Sequence, residues 1–140
     1  VMVRMAKCCN PVPGDDIIGY ITRGRGVSVH RSDCTSLGHT PEDLERMIEV
    51  SWDESTSESF HVGIDIQAYD RPGILMEVMA VLSELKITIT NMNAKVIENT
   101  KNVIINIVVE IRDISQLDFV MTKLRRIREV YTVQRSKGGA

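Results

Sequence analysis

Hydrophobic positions in the C-terminal part of the chain recur in two orders. Leu75, Val78, Met79, Leu82 and Leu85 fall at i, i+3, i+4, i+7 and i+10, one face of an amphipathic helix. Adding 42 to each gives Leu117, Val120, Met121, Leu124 and Ile127, the same face on a second helix. Ahead of the first helix, Phe60, Val62, Ile64, Ile66 and Ala68 alternate with His61, Gly63, Asp65 and Gln67, which predicts a strand with one buried face. Ahead of the second, residues 103–111 are almost continuously apolar and β-branched, as a central strand would be. Residues 88–97 and 130–134 supply a strand after each helix, and Glu98-Asn99-Thr100-Lys101-Asn102 is the turn between the middle strands. The order is β-α-β-β-α-β. Right-handed crossovers then place both helices on one face of a four-stranded antiparallel sheet, a ferredoxin-like α+β sandwich over residues 60–135. The other sheet face carries part of the set Ile104, Asn106, Val108 and Glu110. It is either a mildly hydrophobic solvent face or a surface covered by a second copy or by the N-terminal module.

The N-terminal residues predict a small β-rich module with one short helix. Residues 3–9 form a short strand that ends at Asn10-Pro11-Val12-Pro13-Gly14. Residues 17–22 and 27–30 form a hairpin with Arg23-Gly24-Arg25-Gly26 at its tip. Thr40 as cap, Pro41 at the first helical position and acidic residues in the first turn predict a helix over 41–48, and residues 49–52 return as a last strand. Between Trp52 and Phe60 lie seven polar residues without a hydrophobic period. The organisation expected is therefore 1–52 as one module, 53–59 as linker, 60–135 as a second module and 136–140 as a frayed tail.

Composition narrows the function classes. A chain of 140 residues with 43% hydrophobic content has room for one domain or two small ones. Apolar runs such as 103–105 and 107–109 fall far short of the roughly 18 residues a membrane helix needs. Seventeen Lys+Arg against 19 Asp+Glu give no bulk attraction to nucleic acid, so an RNA contact requires a local patch. Three cysteines leave an odd thiol and fit a reducing, cytoplasmic compartment better than a disulfide framework. The chain starts at Val1, its first residues lack the apolar core of a secretory signal, and it reads as a fragment.

Cys8, Cys9, His30 and Cys34 offer thiolate and imidazole, the groups Zn²⁺ prefers, and four of them complete a tetrahedron. Adjacent residues of a regular strand point to opposite faces, so Cys8 and Cys9 share an ion only where the chain bends. Two buried thiols with a hairpin histidine, or a reactive thiol, are the alternatives. Arg23, Arg25, His30 and Arg31 concentrate on the hairpin, with glycine between the first two. They form either a phosphate-binding surface or a solvated turn. A second basic run, Lys123, Arg125, Arg126 and Arg128, is accounted for by the dipole at a helix end. Asp70-Arg71-Pro72-Gly73 reads as a capped helix start or as a carboxylate site. No nucleotide-binding or hydrolytic motif is present, so the fragment is expected to bind and transmit rather than to catalyse.

The stretch Lys7-Cys-Cys-Asn-Pro-Val-Pro-Gly-Asp-Asp-Ile-Ile-Gly-Tyr-Ile-Thr-Arg-Gly-Arg-Gly-Val-Ser-Val-His-Arg-Ser-Asp-Cys34 closely resembles the C-terminal regulatory segment of long RelA/SpoT (Rel) stringent-response enzymes. Residues 60–135, with Asp70-Arg-Pro-Gly73 and Thr90-Asn-Met-Asn-Ala94, resemble the ACT domain that follows it. The resemblance implies a parent protein that makes and hydrolyses (p)ppGpp, a GTP pyrophosphokinase and hydrolase, in N-terminal catalytic domains not contained here. It implies a zinc-finger or ribosome-intersubunit domain engaging ribosomal RNA and tRNA during amino-acid starvation, with Arg23, Arg25, His30 and Arg31 as RNA contacts. Likeness to amino-acid-binding ACT domains implies a branched-chain amino-acid site at Asp70, Gly73, Ile74, Leu75, Asn91 and Asn93, and a homodimer through the ACT domain. A zinc-stabilised interaction module without RNA affinity is the third reading.

Overall fold

The computed structural model describes residues 2–24, 26–53 and 59–136. Its first sheet has four strands, β1 (Val3–Met5), β2 (Ile17–Thr22), β3 (Gly26–Arg31) and β4 (Met47–Ile48), with the short helix α1 (Pro41–Glu45) before the last. Their order across the sheet is β1-β3-β2-β4. The hairpin β2–β3 pairs Ile17 with Arg31 through Thr22 with Gly26, and β1 lies parallel to β3. Alternation along β3 turns Val27 and Val29 to one face and Ser28 and His30 to the other, so the hairpin itself aims the histidine.

Three expected elements differ. The first strand stops at Met5 because the chain turns through Lys7, Cys8 and Cys9, closed by a bond from the Asn10 amide to the Ala6 carbonyl at 2.9 Å. The expected helix over 41–48 ends at Glu45, and Met47 and Ile48 pair with Tyr20 and Gly19, so the last strand precedes the expected 49–52. The indole of Trp52 is engaged elsewhere, donating to the Asp15 carbonyl at 3.0 Å and meeting the Phe60 ring edge-on at 5.6 Å. Thr40 does cap α1, accepting from the Asp43 amide.

The second unit runs β5 (Phe60–Tyr69), α2 (Ile74–Glu84), β6 (Ile89–Val96), β7 (Asn102–Ile111), α3 (Ile114–Arg125) and β8 (Val130–Arg135). The sheet order is β6-β7-β5-β8 and every pairing is antiparallel. This is the β-α-β-β-α-β order read from the repeat. Alternate residues of β5 and β7, from Val62 to Ala68 and from Val103 to Ile111, share one buried cluster with Ile74, Val78 and Leu82 of α2 and with Leu117, Val120 and Leu124 of α3. Both helices therefore cover one sheet face. On the other face Asn106 is exposed and Ile104, Val108 and Glu110 are half-buried. The two helical faces are less alike than the repeat suggests: Met121 is 6% exposed but Met79 is 36% exposed, because α2 buries the narrower row Ile74, Val78 and Leu82. The edge strand β6 is exposed from Thr90 to Val96.

The turn after Cys9 carries the first unit into the second. Val12 is fully buried and belongs to the same cluster as the strands and helices of the second unit. The Pro13 carbonyl accepts from the first amide of α3, Ile114, at 2.7 Å. Gly14, at φ 102°, lies against Ile114, whose side chain occupies the place a Cβ would take. Arg135 at the end of β8 donates to the Asn10 carbonyl and to the Asp15 carboxylate. Residues 54–58 of the expected linker and most of the expected tail, 137–140, lie outside the described residues. Among the described residues no helix is long and apolar enough to cross a membrane.

Candidate functional site

Cys8, Cys9, His30 and Cys34 come together, with their ligand atoms all within 4.8 Å of one another. The turn through Lys7–Cys9 supplies the bend that lets neighbouring cysteines share one point, and the facing register of β3 supplies the imidazole. Cys8 Sγ lies 4.0 Å from Cys9 Sγ, 3.5 Å from Cys34 Sγ and 3.3 Å from His30 Nδ1. A tetrahedral zinc with Zn–S bonds of about 2.3 Å would hold its sulfurs about 3.8 Å apart, so the donor set fits such an ion. Outside this set, the Ser28 hydroxyl stands 3.2 Å from His30 Nε2, leaving Nδ1 to face the thiols.

The electrostatics suit a metal site in its proton-loaded form. Burial lowers the His30 pKa and so favours the neutral imidazole that a metal ligand requires. Burial pushes the Cys9 thiol up to about 12, against the hydrogen bond from the Arg31 amide, which its sulfur accepts at 3.3 Å. Burial also raises Cys34, but hydrogen bonds from the Ser36 amide and from the Cys8, Cys9 and Ser36 side chains outweigh it and leave the thiol below its ordinary range. Bound cation would replace the protons on these thiols. An ion held by these four residues would supply a cross-link between the turn, β3 and the loop that follows it.

The hairpin residues separate in space. Arg23 is exposed at the tip, while Arg25 lies outside the described residues. His30 is turned into the thiol cluster, and Arg31 is tied to Asp33 at 2.8 Å, with its side chain 25% exposed. The second basic run is partly engaged: Lys123 lies 5.3 Å from the Phe119 ring centre and Arg125 donates to the Val133 carbonyl at 2.9 Å.

The six residues of the expected amino-acid site occupy two places. Asp70, Gly73, Ile74 and Leu75 lie at the β5–α2 junction. Gly73, at φ 85°, is the N-cap of α2 without a side-chain cap bond, so Asp70 does not play the capping part that its position suggested. Ile74 is buried and Leu75 half-buried. Asn91 and Asn93 stand on exposed β6 opposite Val108 and Asn106, on the helix-free face. Asn106 is four residues along β7 from Asn102, which pairs with Tyr69 beside Asp70, a separation of about 13 Å along the strand. Arg71, which spacing did not single out, pairs with Glu77 and donates to the Arg128 carbonyl at 3.0 Å, tying the helix start to the turn before β8.

Comparison with known proteins places both units. A family model described as the RelA/SpoT RIS domain matches residues 1–53, and one described as an ACT domain matches residues 56–135. The bifunctional (p)ppGpp synthase/hydrolase RelA of Mycobacterium tuberculosis is 40% identical over 141 residues, covering 100% of this chain and 19% of that protein. The GTP pyrophosphokinase of Escherichia coli K12 is 33% identical, covering 99% of this chain and 19% of that protein. The chain thus spans about a fifth of the length of the curated relatives it matches. The crystal structure of the ACT domain from GTP pyrophosphokinase of Chlorobium tepidum superposes with a TM-score of 0.50 at 24% identity, over 56% of this chain and 99% of that one, and so shares its fold. By sequence and by architecture, the chain belongs to the ACT domain family and carries, ahead of that domain, the RIS domain of the RelA/SpoT proteins.

Proposed function

We propose that this chain is the regulatory part of a stringent-response (p)ppGpp synthetase/hydrolase, which contacts ribosomal RNA and tRNA and passes amino-acid starvation to N-terminal catalytic domains in a cytoplasmic setting. The observation that carries the reading is the exposed Arg23 at the tip of a hairpin whose base is fastened through His30 to the cysteine cluster. An arm that presents the Arg23 guanidinium beside Gly24 suits phosphate contact. Arg25 is the second candidate on that tip, and Arg31 and His30 act at its base. Replacement of Arg23 and Arg25 by Ala should weaken co-sedimentation with ribosomes and flatten its salt dependence. Unchanged binding removes the hairpin from the reading.

An amino-acid response through the ACT unit is the second reading, favoured by the open space above Gly73, where a Cβ would meet no atom within 4 Å. Asp70, Gly73, Ile74 and Leu75 would hold a branched-chain ligand's carboxylate and side chain, and Asn91 and Asn93 would contribute from β6 of a second copy. The uncovered edge of β6, with Met92 and Val96 exposed by 38% and 51%, supports such a homodimer. Titration with valine and isoleucine tests it through chemical shifts of residues 70–75, and silence at millimolar ligand excludes it. The cluster of Cys8, Cys9, His30 and Cys34 is read as a structural zinc site in either case.

A further inference from the structure

We infer that metal loading of the four-residue cluster and seating of Val12 in the ACT sandwich are one coupled equilibrium, so that the cluster controls whether the two domains are docked. The inference rests on the metal reading of that cluster and goes beyond it. Cys9 and Val12 are three residues apart, a span of at most about 10 Å of chain. The connection is stiff, since Pro11 and Pro13 fix their own φ and restrict the residues before them. It is also fastened: the Asn10 carbonyl accepts from Arg135 at 2.9 Å, and the Pro13 carbonyl accepts from the Ile114 amide at 2.7 Å.

The RIS domain has little else to hold its shape. Among the described residues its own buried hydrophobic side chains are Cys9, Val27, Val29 and Leu37, since Val12 belongs to the neighbouring core. A module so small leans on a cross-link, and binding energy at such a site is folding energy. Cys8 and Cys9 belong to the turn that leads directly into the Val12 plug, whereas His30 and Cys34 belong to the hairpin and the loop after it. Without an ion, the turn is held to the hairpin by packing and by a few hydrogen bonds, such as those from the Ala6 amide to the Val29 carbonyl and from the Arg31 amide to Cys9 Sγ, and an ion would add the cross-link that fixes the turn, and with it Val12, in place. On the far side, Cys34 and Ser36 face Met121 and Gln134 across a cleft of about 390 Å³. The cluster thus abuts the ACT domain on two sides.

Trp52 is the sole tryptophan, and it donates to the Asp15 carbonyl within the plug, so its emission reports docking. The experiment uses the full 140-residue chain, stripped of metal and titrated with Co²⁺, whose thiolate absorption reports loading. Co²⁺ gives the affinity, and loading the stripped chain with diamagnetic Zn²⁺ should shift Trp52 emission and the Val12 methyl resonances, while ACT amides remote from the plug hold still. By reciprocity, V12A and, separately, R135Q should weaken Co²⁺ binding by about fivefold or more. Neither residue is a metal ligand. Co²⁺ that binds with unchanged affinity in both variants, together with Trp52 emission that Zn²⁺ leaves unchanged, overturns the coupling alone. Absence of Co²⁺ absorption overturns the coupling together with the metal reading.

Discussion

Asp15 and Arg135, 120 positions apart, meet as a two-pronged ion pair, with Nη1–Oδ1 at 3.0 Å and Nη2–Oδ2 at 3.2 Å. Their side chains are 8% and 13% exposed. A third bond, from Arg135 Nη2 to the Asn10 carbonyl, makes the pair the polar clamp around the Val12 plug. Removing one partner of a buried pair leaves an uncompensated charge and costs about 3–5 kcal/mol. D15A should therefore lower the urea midpoint strongly, and D15N combined with R135Q should recover part of the loss. A midpoint within error of the parent in D15A would show that the clamp does not hold the domains.

Gly14 tests the apolar side of the same seam. Its φ of 102° and its approach to Ile114 leave no place for a side chain, so G14A should cost about 1–3 kcal/mol. The loss should appear first as faster hydrogen exchange of the Ile114 amide, which the Pro13 carbonyl holds at 2.7 Å. Equal exchange in parent and variant would contradict this account of the seam.

The three thiols should differ in reactivity in metal-free protein. Cys34, below its ordinary range, should be alkylated by iodoacetamide at pH 8 before Cys9, whose thiol burial pushes up to about 12. Peptide mapping at partial modification gives the order, and labelling of Cys9 first would refute it. The Cys9 shift also carries a sign: its contribution to stability is complete below pH 9 and is lost as the pH climbs towards 12.

At the acid end, Asp43 holds α1 to the sheet. Hydrogen bonds from the Thr40 and Tyr20 hydroxyls lower its pKa, the latter at 2.9 Å. A depressed carboxyl stabilises the fold above the ordinary carboxylate range and loses that contribution as the pH falls through the lower folded value. The parent should therefore lose its stability advantage over D43N between about pH 4 and the lower folded pKa. The check is a pair of urea titrations at pH 6 and pH 3, with an unchanged difference as the refuting result.

The ACT sandwich was legible because its pattern is written twice, and a 42-residue offset with period-2 strands admits few other folds. Met79 departs from that reading because a repeat in sequence does not specify how far each helix is covered. In the RIS domain the periodicity is short, and pairing decides the boundaries: Met47 and Ile48 join β2, whereas their spacing alone extended the helix. The gathering of Cys8, Cys9, His30 and Cys34 could be named from residue type, but the turn that unites the first two could not. Least legible was Val12. Flanked by prolines, it carries every mark of a surface turn, and only the core of the second unit, at least 50 residues downstream, makes it interior. An apolar, β-branched residue between two prolines, Pro11-Val12-Pro13, is the signal that was available.

The family boundary near residue 55 divides the chain by ancestry, while the interior divides it differently. An ACT domain cut there retains every strand and both helices, but loses the stopper at one end of its hydrocarbon interior. The opened socket would offer its apolar lining to whatever side chain of a neighbouring molecule can reach it, so isolated ACT fragments should be stickier than the two-domain chain. A fragment beginning at Asn10 restores the seal only by carrying residues 10–55, most of the first module, along with it.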